Sequence, residues 1–272
     1  MRHQALVAVL LGGLTLPVSA CHYYFAEDDE PADDGSDIGD GSDVSDDGPD
    51  DGGDVPEPDA GPVEPDASPV CDPSAILPAG YAPVALVSTG TVVNTPDEDL
   101  PGVFTTVIDA SAGGGAEQAN NPFVYLDLEG EDGATKVEID DIASFESADW
   151  DIALKRFVIR SNSGDSGPGD EEVATATGEE IGTGTDVPSE SFADDDWTGE
   201  GCTLVQDDTG GPRTRFSNWY TVQAGRFEPR AVTHFIRLGD GRYAEVDVTT
   251  YYGDEANPDR SGVYVLRWRR FP

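Results

Sequence analysis

The chain has 272 residues, of which 55 are Asp or Glu and 15 are Lys or Arg, for a formal charge of −40. So acidic a surface repels phosphate backbones, which excludes nucleic acid as a partner and suits a soluble domain outside the cell. The three cysteines and single methionine further narrow the chemistry that any redox or metal site could use.

The chain opens MRHQALVAVLLGGLTLPVSAC: Arg2, an apolar run from Ala5 to Val18, then small residues before Cys21. The run is too short and too soon broken to span a bilayer, and it has the form of an export signal covering residues 1–20. Val18-Ser19-Ala20-Cys21 resembles a bacterial lipobox, which makes Cys21 the lipidated N-terminus of the mature chain. Plain signal cleavage is the alternative. At about 0.8 kcal/mol per buried methylene, several acyl chains tether a protein to a membrane without threading it through. The expected location is the bacterial outer membrane, at the cell surface.

Residues 21–70 hold a tract, Ala26–Pro69, without aromatic residues, Lys or Arg. Such a segment cannot bury enough apolar surface to offset its ordering entropy, so disorder is expected. Its carboxylates repel one another, and the prolines of VPEPDAGPVEPDASP stiffen its second half. The Asp spacing does not follow a calcium-loop pattern. A spacer is the simplest role.

The domain proper is expected over residues 71–272, long enough for one core. An exported protein meets oxidising conditions, so Cys71 and Cys202 are expected to pair, with two free thiols as the alternative. Helical periodicity is absent after residue 80, and short alternating runs take its place. Phe123–Leu128 alternates, GEDGA follows with hairpin composition, and Thr135–Asp140 alternates again. Val232–Leu238, a tight turn at Gly239-Asp240-Gly241, Arg242–Thr250 and Gly262–Phe271 form a second set. The fold class is all-β, mainly antiparallel, sandwich-like or open-barrel. Gly164–Gly201 stands apart as a polar, Gly-rich excursion, read as a large functional loop or a partly mobile one.

Within the string Asn162–Asp170, NSGDSGPGD is close to the surround of a trypsin-like nucleophile. That chemistry needs a histidine base and a buried aspartate. His3 and His22 lie in or beside the signal, His234 comes in the wrong chain order, and a proline replaces a glycine. Ser166 is therefore read as a loop serine. Paired-carboxylate hydrolysis is no better supported, because no spacing singles out a pair.

The block from Asp149 to Gly164, DWDIALKRFVIRSNSG, resembles the signature of the HmuY-like proteins, exported haem-binding lipoproteins. NPFVYLDLEGEDGATKVEI, SNWYTV and THFIRLGDGRYAEVDVTTYYG are similar to further family segments in order, so the likeness covers roughly residues 84–271. It implies a binding protein rather than an enzyme, with Trp150, Asp151, Arg160, Asn162, Gly164, Ser166 and Gly167 as structural signature. Trp150 reads as a core anchor, and a β-bulge near Lys155-Arg156 would bring Ile152, Leu154, Phe157 and Ile159 to one side.

The resemblance also implies haem held by two axial side chains, His or Met, and an outer-membrane haem receptor as partner. This chain departs from that pattern, because its mature part has one histidine besides His22 and no methionine. His234 is the expected axial ligand, with Tyr220, Tyr251 or Tyr252 opposite, since phenolate also ligates ferric haem. Plain strand packing on a partly exposed face is the other reading of His234, and core or rim packing that of the tyrosines. Arg267, Arg269 and Arg270 are candidates to offset the propionates, or to serve as salt-bridged strand surface. The alternative function is the same fold with its haem ligands lost, binding another small molecule, glycan or protein.

Overall fold

The computed structural model describes residues 71–111, 120–177, 181, 187, 192–253 and 260–272. The export signal, Cys21 and the acidic linker lie outside these residues, as does part of the 164–201 excursion.

Alternation in the sequence becomes antiparallel ladders. A single helical turn, α1 (Pro73–Ile76), opens the domain, capped by Asp72, whose side chain accepts from the Ser74 amide. Strands β1 (Thr91–Pro96), β2 (Val103–Asp109), β3 (Val124–Asp127) and β4 (Thr135–Val137) follow. Asp140 then caps a second single turn, α2 (Asp141–Ser144), by accepting from the Ile142 and Ala143 amides. Next come β5 (Ile152–Lys155), β6 (Val158–Ser161), β7 (Val173–Thr177) and the two-residue pair β8 (Thr198–Gly199) and β9 (Thr203–Leu204). The last five are β10 (Tyr220–Gln223), β11 (Arg226–Pro229), β12 (Val232–Arg237), β13 (Tyr243–Thr250) and β14 (Val263–Phe271).

A six-stranded sheet runs β1-β2-β14-β13-β12-β7 and a four-stranded sheet runs β4-β3-β5-β6, with every strand pairing antiparallel. β10–β11 and β8–β9 are separate hairpins. The all-β reading holds. In β13 the expected inward set, Ala244, Val246 and Val248, is buried, as are Tyr264, Leu266 and Trp268 of β14. Their opposite parity is not simply wet: Glu245 is buried too, ion-paired to Arg269 across the ladder.

The expected bulge at Lys155-Arg156 is instead a reversal. Lys155 pairs with Val158, so β5 and β6 form a hairpin whose two-residue turn carries Arg156 at φ 53°. Positive φ is unusual for a side chain as large as arginine. Here the Tyr264 hydroxyl donates to the Arg156 carbonyl at 2.6 Å and the guanidinium lies over the Tyr81 and Phe157 rings.

The seam between the sheets is a short polar chain. Trp268 Nε1 donates to Thr106 Oγ1 (2.8 Å), whose hydroxyl donates to Asn94 Oδ1 (2.7 Å). The Asn94 amide in turn donates to the Ala134 carbonyl at 2.8 Å. Gly133, at φ 110°, lies directly against Asn94, and a Cβ there would overlap the amide. Cys71 and Cys202 form the expected disulfide, with Cα atoms 5.5 Å apart. It closes a sequence separation of 131 residues, for which loop entropy gives roughly 5 kcal/mol.

Candidate functional site

The signature block builds architecture. All eight residues of β5 and β6 are buried, so the four-stranded sheet is covered on both faces there. Trp150 Nε1 donates to the Ser144 carbonyl, and Asp151 Oδ2 accepts from the Leu128 amide at 2.5 Å. Burial pushes the Asp151 carboxyl up to about 7. Asn162 Nδ2 donates to the Trp150 carbonyl (2.7 Å) and the Ser147 carbonyl (3.0 Å). Gly167 passes so close to Asn162 Oδ1 that a Cβ would overlap it, which is why a glycine stands there.

Arg160 is a buried charge of the block enclosed by aromatic rings. Its guanidinium carbon lies 4.4 Å from the Phe123 ring centroid, 4.8 Å from Phe145, 5.2 Å from Trp150 and 5.4 Å from Tyr125. Nη2 donates to the Tyr125 hydroxyl (2.6 Å) and to Ser144 Oγ (3.0 Å), and the Tyr125 hydroxyl donates to Asp141 Oδ1 (2.8 Å). Burial raises the Asp141 pKa and Arg160 opposes that.

Ser166 is no surface nucleophile. It is fully buried in a short 3-10 turn, its hydroxyl donating to Asp195 Oδ2 (2.9 Å) and accepting from Trp197 Nε1 (3.0 Å). Asp195 Oδ2 also accepts from the Ser161 amide, while Asp165 Oδ2 accepts from the amides of Trp197 and Thr198. The described end of the 164–201 excursion is thus stitched onto the signature turn at Gly164, which takes φ 55°.

His234 sits in the middle of β12, paired with Val246 on one side and Thr175 on the other. It shares the parity of Val232 and Ile236 and is fully buried, so its partly exposed reading is corrected: this face of the strand meets the core. Its ring stacks on Phe216 at 4.5 Å, and Nε2 lies 2.9 Å from Asn218 Oδ1. An amide oxygen only accepts, so Nε2 carries the proton. Burial pushes the imidazole pKa down to about 3, keeping the ring neutral.

The three candidate tyrosines belong to a different group. Tyr220 and Tyr251 pack edge-on with Phe227, Trp219 adjoins both, and Tyr252 stacks edge-on against Tyr251. The Tyr220 hydroxyl donates to Asp207 Oδ2 at 2.8 Å. Burial raises the phenol pKa of Tyr220 and of Tyr251, which opposes phenolate formation. Tyr252 is half-buried, with its oxygen accepting from the Phe227 amide and the Arg226 guanidinium 4.3 Å over its ring. None of these rings contacts His234, whose aromatic neighbour is Phe216. The arginines proposed for propionates are also engaged: Arg267 with Asp97, Arg269 with Glu245, and Arg270 with the Leu128 carbonyl.

A haem needs an axial donor facing an apolar slot. The buried, hydrogen-bonded His234 and the protonated Tyr220 and Tyr251 do not fit that need in this conformation. Two open grooves lie nearby instead, and they share Arg213, Ser217 and Asn218. One extends past Asp207, Tyr220 and Arg230, the other past Thr175, Asp196 and Arg215. Sequence reasoning missed these arginines because nothing in their spacing marks a site; the loop between β9 and β10 carries Arg213 and Arg215, and the short link between β11 and β12 carries Arg230. Among the described residues no group of three His, Cys, Asp or Glu side chains is arranged to hold a metal, and no helix is long and apolar enough to cross a membrane.

Comparison with solved structures gives a Bacteroides fragilis protein described as a lipoprotein, 19% identical over 64% of this chain and 94% of that one, with a TM-score of 0.42. A Bacteroides vulgatus protein described as HmuY-like and haem-binding is 19% identical over 68% and 97%, with a TM-score of 0.42. The apo HmuY analogue of Tannerella forsythia is 14% identical over 67% and 97%, with a TM-score of 0.39. No curated protein matches the chain in sequence. The HmuY protein family, a haem-binding type of family rather than an enzymatic one, matches residues 119–264, from just before β3 into β14, and so takes in the whole signature block, β12 and β13. By that match, over more than half of its length, the chain belongs to the HmuY family.

Proposed function

We propose that this HmuY family member is an exported lipoprotein, anchored through Cys21 to the bacterial outer membrane, that works at the cell surface as a binding protein whose haem ligands have been lost. The observation that carries this reading is His234. It is the one histidine of the described domain, and it is buried in β12 with Nε2 engaged by Asn218. The fold is kept and the two axial side chains are absent. Such a protein binds another small molecule, glycan or protein through its surface.

Haemin titration of the mature chain, followed through the Soret band, tests the reading with His234→Ala alongside. A flat titration is expected for both. A stoichiometric red-shifted band that disappears in His234→Ala would overturn it.

A second reading, haem acquisition with delivery to an outer-membrane receptor, is favoured by family membership and by Tyr252. That phenol is half-buried, with the Arg226 guanidinium 4.3 Å over its ring. A Soret band that survives His234→Ala and vanishes in Tyr252→Phe would carry this second reading.

A further inference from the structure

Half of the arginines among the described residues are spent on carboxylates. Arg226, Arg237, Arg242, Arg260, Arg267 and Arg269 are each ion-paired. Arg156 and Arg160 lie against aromatic rings, and Arg270 reaches a carbonyl. Arg213, Arg215 and Arg230 make no ion pair among the described residues, and all three line the two adjoining grooves. Arg215 Nε donates to the Asp194 carbonyl at 2.8 Å, while Arg213 and Arg230 are exposed, and in a chain of charge −40 this gathering of guanidiniums without direct ion pairs is a feature to be explained.

Between them the wall is polar. Ser217 and Asn218 line both grooves, and Gln206, Thr209 and Thr221 line one of them. The side chain of Asn218 is oriented from beneath by the buried His234. Asp207 and Asp208 line the first groove and Asp196 the second, without a direct ion pair to these arginines; the Asp207 carboxylate accepts instead from the Thr209 and Gly211 amides and from the Tyr220 hydroxyl.

We infer that the grooves bind an acidic saccharide of the uronate type, whose carboxylates pair with Arg213, Arg215 and Arg230 while its hydroxyls meet the Ser, Thr, Asn and Gln side chains. A guanidinium presents a planar fork that matches a carboxylate, and amide and hydroxyl side chains supply both donors and acceptors for sugar hydroxyls. The aspartates lining the grooves and the overall negative charge disfavour a densely charged polyanion, so a ligand with spaced charges fits better. A largely apolar macrocycle finds few apolar walls here beyond Tyr220 and Val222 in one groove and Val173 and Ala174 in the other. The inference rests on the reading of this chain as a surface binding protein and names the ligand class of its groove.

Calorimetric titration of the mature chain with trigalacturonic acid tests it. Maltotriose serves as the neutral control, and the double variant Arg213→Gln with Arg230→Gln is run in parallel. Saturable binding is expected, weakened at least about tenfold in the double variant and by added salt, with no binding of maltotriose. Both arginines are exposed, and a melting curve matching wild type shows that the variant folds. Absence of binding to trigalacturonic acid, equal binding of maltotriose, or undiminished binding by the folded double variant would each overturn the inference. The haemin titration fails or succeeds independently: a Soret band would sink the ligand-lost reading, whereas a flat titration without sugar binding would sink the saccharide alone.

Discussion

Arg160 and Arg213 lie on opposite sides of one question, what a positive charge is for in this protein. Arg160 is walled in by Phe123, Phe145, Trp150 and Tyr125 and connected through the Tyr125 hydroxyl to Asp141. Arg213 is exposed, lines two grooves, and has no carboxylate partner among the described residues. Desolvating a charge is so costly that Arg160 persists only because rings, hydroxyls and an acid surround it. Leaving Arg213 in water costs little, so its lack of a partner keeps it available. The signature of the family therefore marks a scaffold, and chemistry directed outward must be sought where the signature is silent.

This contrast can be broken in order of effect. Replacing both Cys71 and Cys202 with alanine should cost roughly 5 kcal/mol in urea denaturation, and should loosen the loop that carries Arg213, detectable as faster proteolysis there. Arg160→Met should cost about 3 to 4 kcal/mol, because Asp141 would stay buried without its counter-charge; a loss below about 1 kcal/mol would mean the ring enclosure is incidental. Glu171→Gln isolates a pH effect. Burial raises the Glu171 pKa from 4.5 to about 8, so folding takes up a proton between those values and stability falls as pH rises through that window. The variant should flatten that decline by up to about 4 kcal/mol between pH 5 and 9, at about 1.4 kcal/mol per pH unit. His234 acts at the other end: the folded protein keeps it neutral, the unfolded chain protonates it below about 6.5, and stability falls as pH drops from there towards 3. Arg213→Gln should change stability by no more than about 0.5 kcal/mol while changing what the groove binds.

RYAEVDVTT and GVYVLRWRRF alternate plainly in the sequence because one parity faces the core, whereas VTHFIRL alternates although both faces of β12 are buried. The hairpin β5–β6 was not plain as a hairpin, because both of its faces are buried and alternation disappears, and its turn at Arg156-Phe157 lacks glycine or asparagine. β7 was hidden inside a polar stretch, where VATAT is too short to stand out. Parity could have placed His234, since it shares a face with Val232 and Ile236. The groove could not be found this way. Its residues come from loops and strand ends, and only the folded chain shows which arginines lack a partner.

The order of the large sheet has a consequence for how the chain comes to be folded. β14, the last of the described strands in chain order, lies between β2 and β13. Until residue 271 is available, the sheet exists only as two separate pieces, β1–β2 and β13–β12–β7, with no ladder between them. Contacts of such long sequence separation form slowly. A sheet ordered this way can close only once its central strand joins the two pieces, so its folding is a late, long-range event rather than a hairpin-by-hairpin one.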